Sequence, residues 1–278
     1  MMLKKYGVLV FFGLTFVCAW TLWGLAHPEV QRQFGLKLSP DLLRLAGTFV
    51  PSALALALSS KHGGAKKLIS ALFRWRIHGL WYAFAVLGPP ILMFASTASH
   101  VALGGAWPDY PDADRWPLVA LNLLAVLLLG GPLGEELGWR GYALPRLSSQ
   151  FGLVGAGALV GLVWAVWHLP LFMLPNSPQG DLSFWLFALQ AIALSLIMAV
   201  LWQEADQSII LPVLMHASVN SFSGPLRILP RDAGSTSPYI FSVALGWALA
   251  AVLIFAFARR GARKRTKAPS APRQTGAK

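Results

Sequence analysis

The chain has 278 residues, 56% of them hydrophobic and only 12% charged, with a formal net charge of +12 and a mean hydropathy of +0.58. Soluble domains carry about 25% charged residues, so this composition excludes an ordinary soluble domain and predicts an all-α, polytopic membrane helix bundle. The positive charge does not read as a nucleic-acid surface: eight of the 23 Lys and Arg residues follow Ala258 and five more lie from Lys61 to Arg76, with no soluble folding unit beside them.

Apolar runs fall at 7–26, 42–59, 79–103, 117–137, 152–174, 183–203, 209–224 and 238–258. Set against about 20 residues per crossing, they predict eight transmembrane helices. The first follows Lys4 and Lys5 and is longer than the apolar core of a signal peptide, so it reads as an anchor. It carries Cys18, the single cysteine, which excludes an intrachain disulfide. Pro89-Pro90 is expected to kink the third helix, and Gly130-Gly131-Pro132 to loosen the fourth. Pro212, His216, Ser218 and Asn220 make the seventh the least regular. Trp75, Trp81, Trp107 and Trp116 fall at expected membrane boundaries, as belt residues do.

The basic loop 61–76 and the basic termini belong on the cytoplasmic side, whereas the loop 104–116 holds Asp109, Asp112 and Asp114 against Arg115 and belongs outside. Residues 1–258 read as one integral membrane domain. Residues 259–278 read as a basic, disordered cytoplasmic tail able to touch anionic lipid headgroups. With no evident organelle signal, the expected location is a bacterial cytoplasmic membrane with both termini cytoplasmic.

Two of the four glutamates, Glu135 and Glu136, are adjacent inside an apolar stretch. A carboxylate at membrane depth costs about 2.5 to 3.5 kcal/mol on insertion scales and marks function by default. Arg140 is four residues after Glu136, on the same helical face, and can neutralise it; neighbouring positions diverge by roughly 100°, which aims Glu135 elsewhere. His168 ends the segment WAVWHLPLF. If the chain turns between Leu147 and Gly152, Glu135 lies about 14 residues before the turn and His168 about 18 after it. At 1.5 Å per residue their depths then differ by roughly one helical turn, and they can meet. His216 and Asn220 share a face of PVLMHASVN by their i, i+4 spacing. Arg44 and His100 lie near helix ends and are expected to snorkel. Asn122 and Gln190 read as interhelical hydrogen-bond partners.

Taken in order, Glu135-Glu136-x-x-x-Arg140, Trp164-x-x-x-His168 and His216-x-x-x-Asn220 resemble the three motifs of the CAAX prenyl protease and bacteriocin-processing family, also called the Abi or CPBP family. The resemblance covers about residues 115–225, and Trp164 stands where the family often has Phe. It implies a protease that hydrolyses a peptide bond of a membrane-associated protein or peptide inside the bilayer, near its cytoplasmic side. Glu135 and His168 would activate water, and His216 with Asn220 would stabilise the oxyanion. Glu136 and Arg140 would form a supporting ion pair, and Trp164 a pocket wall. Family members are commonly labelled metalloproteases, and Glu135, His168 and His216 would be an adequate zinc ligand set. A metal-free glutamate mechanism is at least as economical, so the cofactor expectation is none or zinc. The same polar residues leave open a proton- or cation-coupled transporter, or a non-catalytic immunity or scaffold protein.

Overall fold

The computed structural model describes residues 2–60, 63–110 and 117–267, with side chains described between residues 6 and 260 of those segments. Their regular structure is helical. The long helices are α1 (Met2–Leu25), α3 (Pro40–Ser59), α5 (Gly79–Ala102), α8 (Leu144–Trp167), α9 (Phe184–Glu204) and α12 (Ser237–Lys267). Between them lie α2 (Pro28–Gln33), α4 (Gly64–Leu72), α6 (Val119–Leu129), α7 (Pro132–Glu136), α10 (Ile210–Phe222) and α11 (Pro230–Ala233). A π-helical segment, Leu137–Ala143, joins α7 to α8, and a 3₁₀ turn, Leu169–Met173, follows α8. As expected, this is a polytopic membrane bundle.

The eight expected crossings are not eight separate membrane-length helices. Among the described residues six helical stretches are long and apolar enough to cross, one of which runs from Val119 to Met173, and Ile210–Phe222 is a shorter apolar helix. The expected fourth span, 117–137, breaks at Gly130 and Gly131, where Gly131 has a φ of 106° that an L side chain rarely adopts. The chain restarts at Pro132, whose fixed φ suits a first helical position. It then runs through the π segment to Gly152, where φ 69° and ψ 171° turn it back. Gly152 is the last residue of the interval in which the sequence places the turn. The loop after Lys61 contains α4, and the helix of the last span continues to Lys267, past the expected limit at residue 258. The rest of the expected tail, 268–278, lies outside the described residues, as do Asp112, Asp114, Arg115 and Trp116.

Small residues let the helices approach closely, which is how bundles pack where lipid offers no hydrophobic drive. A Cβ on Gly161 would sit 2.7 Å from Ile192 Cα, and one on Gly157 3.1 Å from Ala199 Cβ. Ser195 Oγ donates to Gly157 O at 2.7 Å across the same seam. The start of the α7 arm is pressed onto α3 in the same way: a Cβ on Gly134 would meet Thr48 O at 2.7 Å, and one on Gly138 the Pro51 side chain at 2.7 Å. Ser52 Oγ donates to Leu133 O, and Ser218 Oγ on α10 donates to Val86 O on α5. The two arms that carry Glu135 and His168 are thereby fixed against α3 and α9. Arg44 does reach outward, donating to Pro175 O, and Asn122 Nδ2 donates to Ser221 O across helices at 3.5 Å. Gln190 Oε1 is buried without a hydrogen bond.

Because the α8–α9 seam has no spare volume at Gly161, Gly161→Leu should cost about 1 to 3 kcal/mol or more by overpacking. The expected result is a lowered melting midpoint of the detergent-solubilised protein. Gly13→Ala, which meets no atom within 4 Å, should leave that midpoint unchanged.

Candidate active site

The returning hairpin sets the geometry. Glu135 lies 17 residues before Gly152 and His168 lies 16 after it, so both stand about 25 Å from the turn at the rise of a helix. Their depths match more closely than the sequence reading allows. Both side chains are buried, as are Glu136, Arg140 and His216.

Trp164 is the residue around which these groups gather. Its indole Nε1 donates to Glu135 Oε2 at 2.6 Å. Its carbonyl oxygen is 2.8 Å from His168 Nδ1. Its ring centroid is 5.6 Å from that of His168 and 5.1 Å from that of His216, and the Arg140 guanidinium carbon lies 4.8 Å above the ring. The expected pocket wall is therefore also a hydrogen-bond donor to the acid. A carbonyl can only accept, so His168 Nδ1 carries the hydrogen, which leaves Nε2 as the free lone pair. Glu135 in turn has Oε2 held and Oε1 directed over Gly131, where a Cβ would come within 2.7 Å of it. Glycine at 131 supplies both the positive φ and the space beneath the carboxylate.

Glu136 does more than pair with Arg140. Arg140 Nη1 donates to Glu136 Oε1 at 2.9 Å, and His216 Nδ1 meets the same oxygen at 2.8 Å. The carboxylate thus ties the π segment to α10 and fixes the His216 ring, leaving its Nε2 for other work. The sequence reading pairs Glu136 with Arg140 but has no signal for the bond to His216, which comes from 80 residues away. Phe187 was also missed: its ring packs 5.1 Å from His168, and a Phe in an apolar helix announces nothing by itself.

Asn220 is the expected site residue that the cluster does not include. It is exposed, one turn beyond His216 on α10, and makes no hydrogen bond to the cluster. The expected zinc set is not assembled either. Among the described residues no group of three His, Cys, Asp or Glu side chains is placed to hold a metal ion; the Nδ1 atoms of both histidines meet Trp164 O and Glu136 and leave each Nε2 unoccupied. No chemical step is derived through a metal.

A buried acid and two oriented histidines thus stand together beside a broken helix inside a membrane bundle, the chemical groups that a hydrolytic site uses. The family model described as Type II CAAX prenyl endopeptidase Rce1-like matches residues 116–222, the segment that carries every residue of the cluster. A CAAX prenyl protease 2 of Methanococcus maripaludis is 29% identical over 232 residues, covering 78% of this chain and 83% of that one. Over that segment the chain is similar to this CAAX prenyl endopeptidase family.

Removing the indole donor while keeping an aromatic wall separates the two roles of Trp164. A hydrogen bond to a charged group contributes about 1.5 to 3 kcal/mol, so Trp164→Phe should slow turnover by about tenfold to a hundredfold. The yield of monodisperse protein on size exclusion should stay near that of the parent chain.

Proposed function

We propose that Glu135, with His168, activates the water with which this intramembrane endopeptidase hydrolyses a peptide bond of a membrane-associated protein or peptide. The similarity to CAAX prenyl endopeptidases supports the reaction class; the assignment of roles is our reading of the geometry. The observation that carries it is the convergence on Trp164, where the hydrogen bonds occupy Glu135 Oε2 and His168 Nδ1 and leave Oε1 and Nε2 free.

Glu135 Oε1 takes a proton from water as the water oxygen bonds to the scissile carbonyl carbon, while His168 Nε2 accepts the second water hydrogen and orients the nucleophile. The carbonyl oxygen becomes an oxyanion. His216 Nε2 faces the role of donor to it. For both ring nitrogens to donate, Nδ1 to Glu136 and Nε2 to the oxyanion, the ring must carry a hydrogen on each, and the developing oxyanion charge then faces Nε2. An oxyanion donor contributes about 2.7 to 4 kcal/mol. As the C–N bond breaks, the proton held by Glu135 passes to the leaving nitrogen, and the carboxylate is restored. In this reading Asn220, exposed one turn beyond His216, contacts the substrate chain. The relay of a transporter is not favoured, since the family is one of endopeptidases. No metal is needed in this scheme, which runs on the acid and the two imidazoles.

Mass spectrometry of membrane-protein termini tests this reading in cells that carry the wild-type chain, Glu135→Gln or His168→Ala at equal membrane abundance. New termini should appear with the wild type and vanish with both variants. Termini that persist with Glu135→Gln would remove Glu135 as the base.

A further inference from the structure

Two features of the sequence take no part in the catalytic cluster, and the fold brings them together. Pro89 and Pro90 lie inside α5, and Gln190 lies in the second turn of α9. A proline inside a helix removes a backbone donor. Ser218 Oγ of α10 compensates at Val86 O, the carbonyl that Pro90 leaves without one. Trp247 Nε1 of α12 donates to Leu189 O of α9 at 3.1 Å. The four helices so tied enclose a cleft of about 430 Å³, part of it open to the surroundings, with Gly88, Pro89, Gln190, Met215, Ser242 and Gly246 on its walls. No residue of the catalytic cluster lines it.

Every side chain of this lining is apolar except those of Gln190 and Ser242. Ser242 is 1% exposed, and its Oγ, like Gln190 Oε1, is buried with no hydrogen-bond partner among the described residues. Buried polar atoms are nearly always paired, so two orphans on the wall of one cleft point to a ligand. Ser242 and Gly246 are one helical turn apart on α12, and a Cβ on Gly246 would stand 3.7 Å from Gln190 Oε1. Both orphans therefore face the same short stretch of the cleft.

An amide oxygen only accepts, whereas a serine hydroxyl both donates and accepts. A ligand hydroxyl satisfies the two together, giving its hydrogen to Gln190 and accepting from Ser242. It serves equally with the amide turned the other way round, since it accepts as readily as it donates. An ester or ether oxygen has no hydrogen to give, and no charged side chain lines the cleft to balance an ionised headgroup. Leu87 and Ile91 on α5 and Val252 and Phe255 on α12 are exposed on membrane-length helices, so the outer surface beside the cleft is lipid-facing. The occupant comes from the bilayer.

We infer that the cleft between α5, α9, α10 and α12 binds an uncharged, chain-like lipid by a hydroxyl group, the hydroxyl on Gln190 and Ser242 and the apolar chain against Pro89 and Met215. This site is separate from the catalytic cluster, and it does not rest on the endopeptidase reading.

The probe is a long-chain primary alcohol with a mid-chain diazirine, photolysed with the purified full-length chain in detergent, and its adducts are located by peptide mass spectrometry. Adducts should fall on α5 around Pro89 and on α10 around Met215. 1-Decanol should compete for them, and decyl methyl ether, which lacks the donor, should compete about threefold to tenfold less well, as the loss of one hydrogen bond implies. That comparison needs no substitution. Gln190→Leu combined with Ser242→Ala should lower labelling of the same peptides by about tenfold. Gly246→Leu, which fills the cleft and keeps both polar groups, should lower it as well and replaces the double variant if that one does not fold. Equal competition by alcohol and ether, adducts confined to lipid-facing residues such as Ile91 and Phe255, or unchanged labelling in the variants would overturn the inference.

Discussion

A fully buried carboxylate, Glu136, stands between two cationic or potentially cationic partners, Arg140 at 2.9 Å and His216 at 2.8 Å, and the remainder of the site is arranged around it. An ion pair taken out of water regains its desolvation cost only with good geometry and additional hydrogen bonds. Here the second hydrogen bond comes from α10 and the remaining face of Arg140 is covered by the Trp164 ring. The same indole then reaches Glu135. One electrostatic knot therefore sets the ring of His216, the plane of Trp164 and, through Trp164, the free oxygen of the acid. Removing one member leaves an uncompensated charge at membrane depth, a change that costs about 3 to 5 kcal/mol in buried pairs.

The knot needs backbone in an unusual state, and the helices around it supply that. The π segment Leu137–Ala143 lies between Glu136 and the return turn; such insertions into α-helices recur at functional sites. Irregular backbone at membrane depth survives only where protein buries it. Gly134 and Gly138 achieve this by bringing the segment against the backbone of α3, while Gly157 and Gly161 hold the returning arm on α9. Close helix packing is thus the condition for the loosened helix, and the loosened helix for the direction in which Glu135 points.

Much of this was legible in the residues. The i, i+4 spacing of Glu136 and Arg140 foretold their pairing because spacing along one helix is local information, and the π insertion does not disturb it. The convergence of Glu135 and His168 was legible because a single glycine turn divides two helical arms of nearly equal count. The limits are equally physical. Gly130-Gly131-Pro132 signalled a loosened fourth span, but hydropathy counts apolar residues and cannot see the positive φ at Gly131 that breaks it into two helices. The bond from His216 to Glu136 joins residues 80 apart, and no local pattern encodes it. Asn220 shares a helical face with His216 by periodicity, yet α10 turns that face only partly toward the cluster and leaves the amide exposed. The hydrogen bond of Trp164 was hidden because an aromatic residue in a membrane helix is ordinarily only a packing element.

The most direct measurement of the central claim is a double-mutant cycle on Glu136 and Arg140, following melting midpoint and turnover together. Glu136→Gln and Arg140→Met should each lower the midpoint, since each strands a buried partner. The double variant should recover a large part of that stability, because the charges leave together. It should stay slow in turnover, because His216 has lost the carboxylate that holds it. If the single variants melted and turned over like the parent, or if the double variant regained full activity, Glu136 would not be the group on which the site depends.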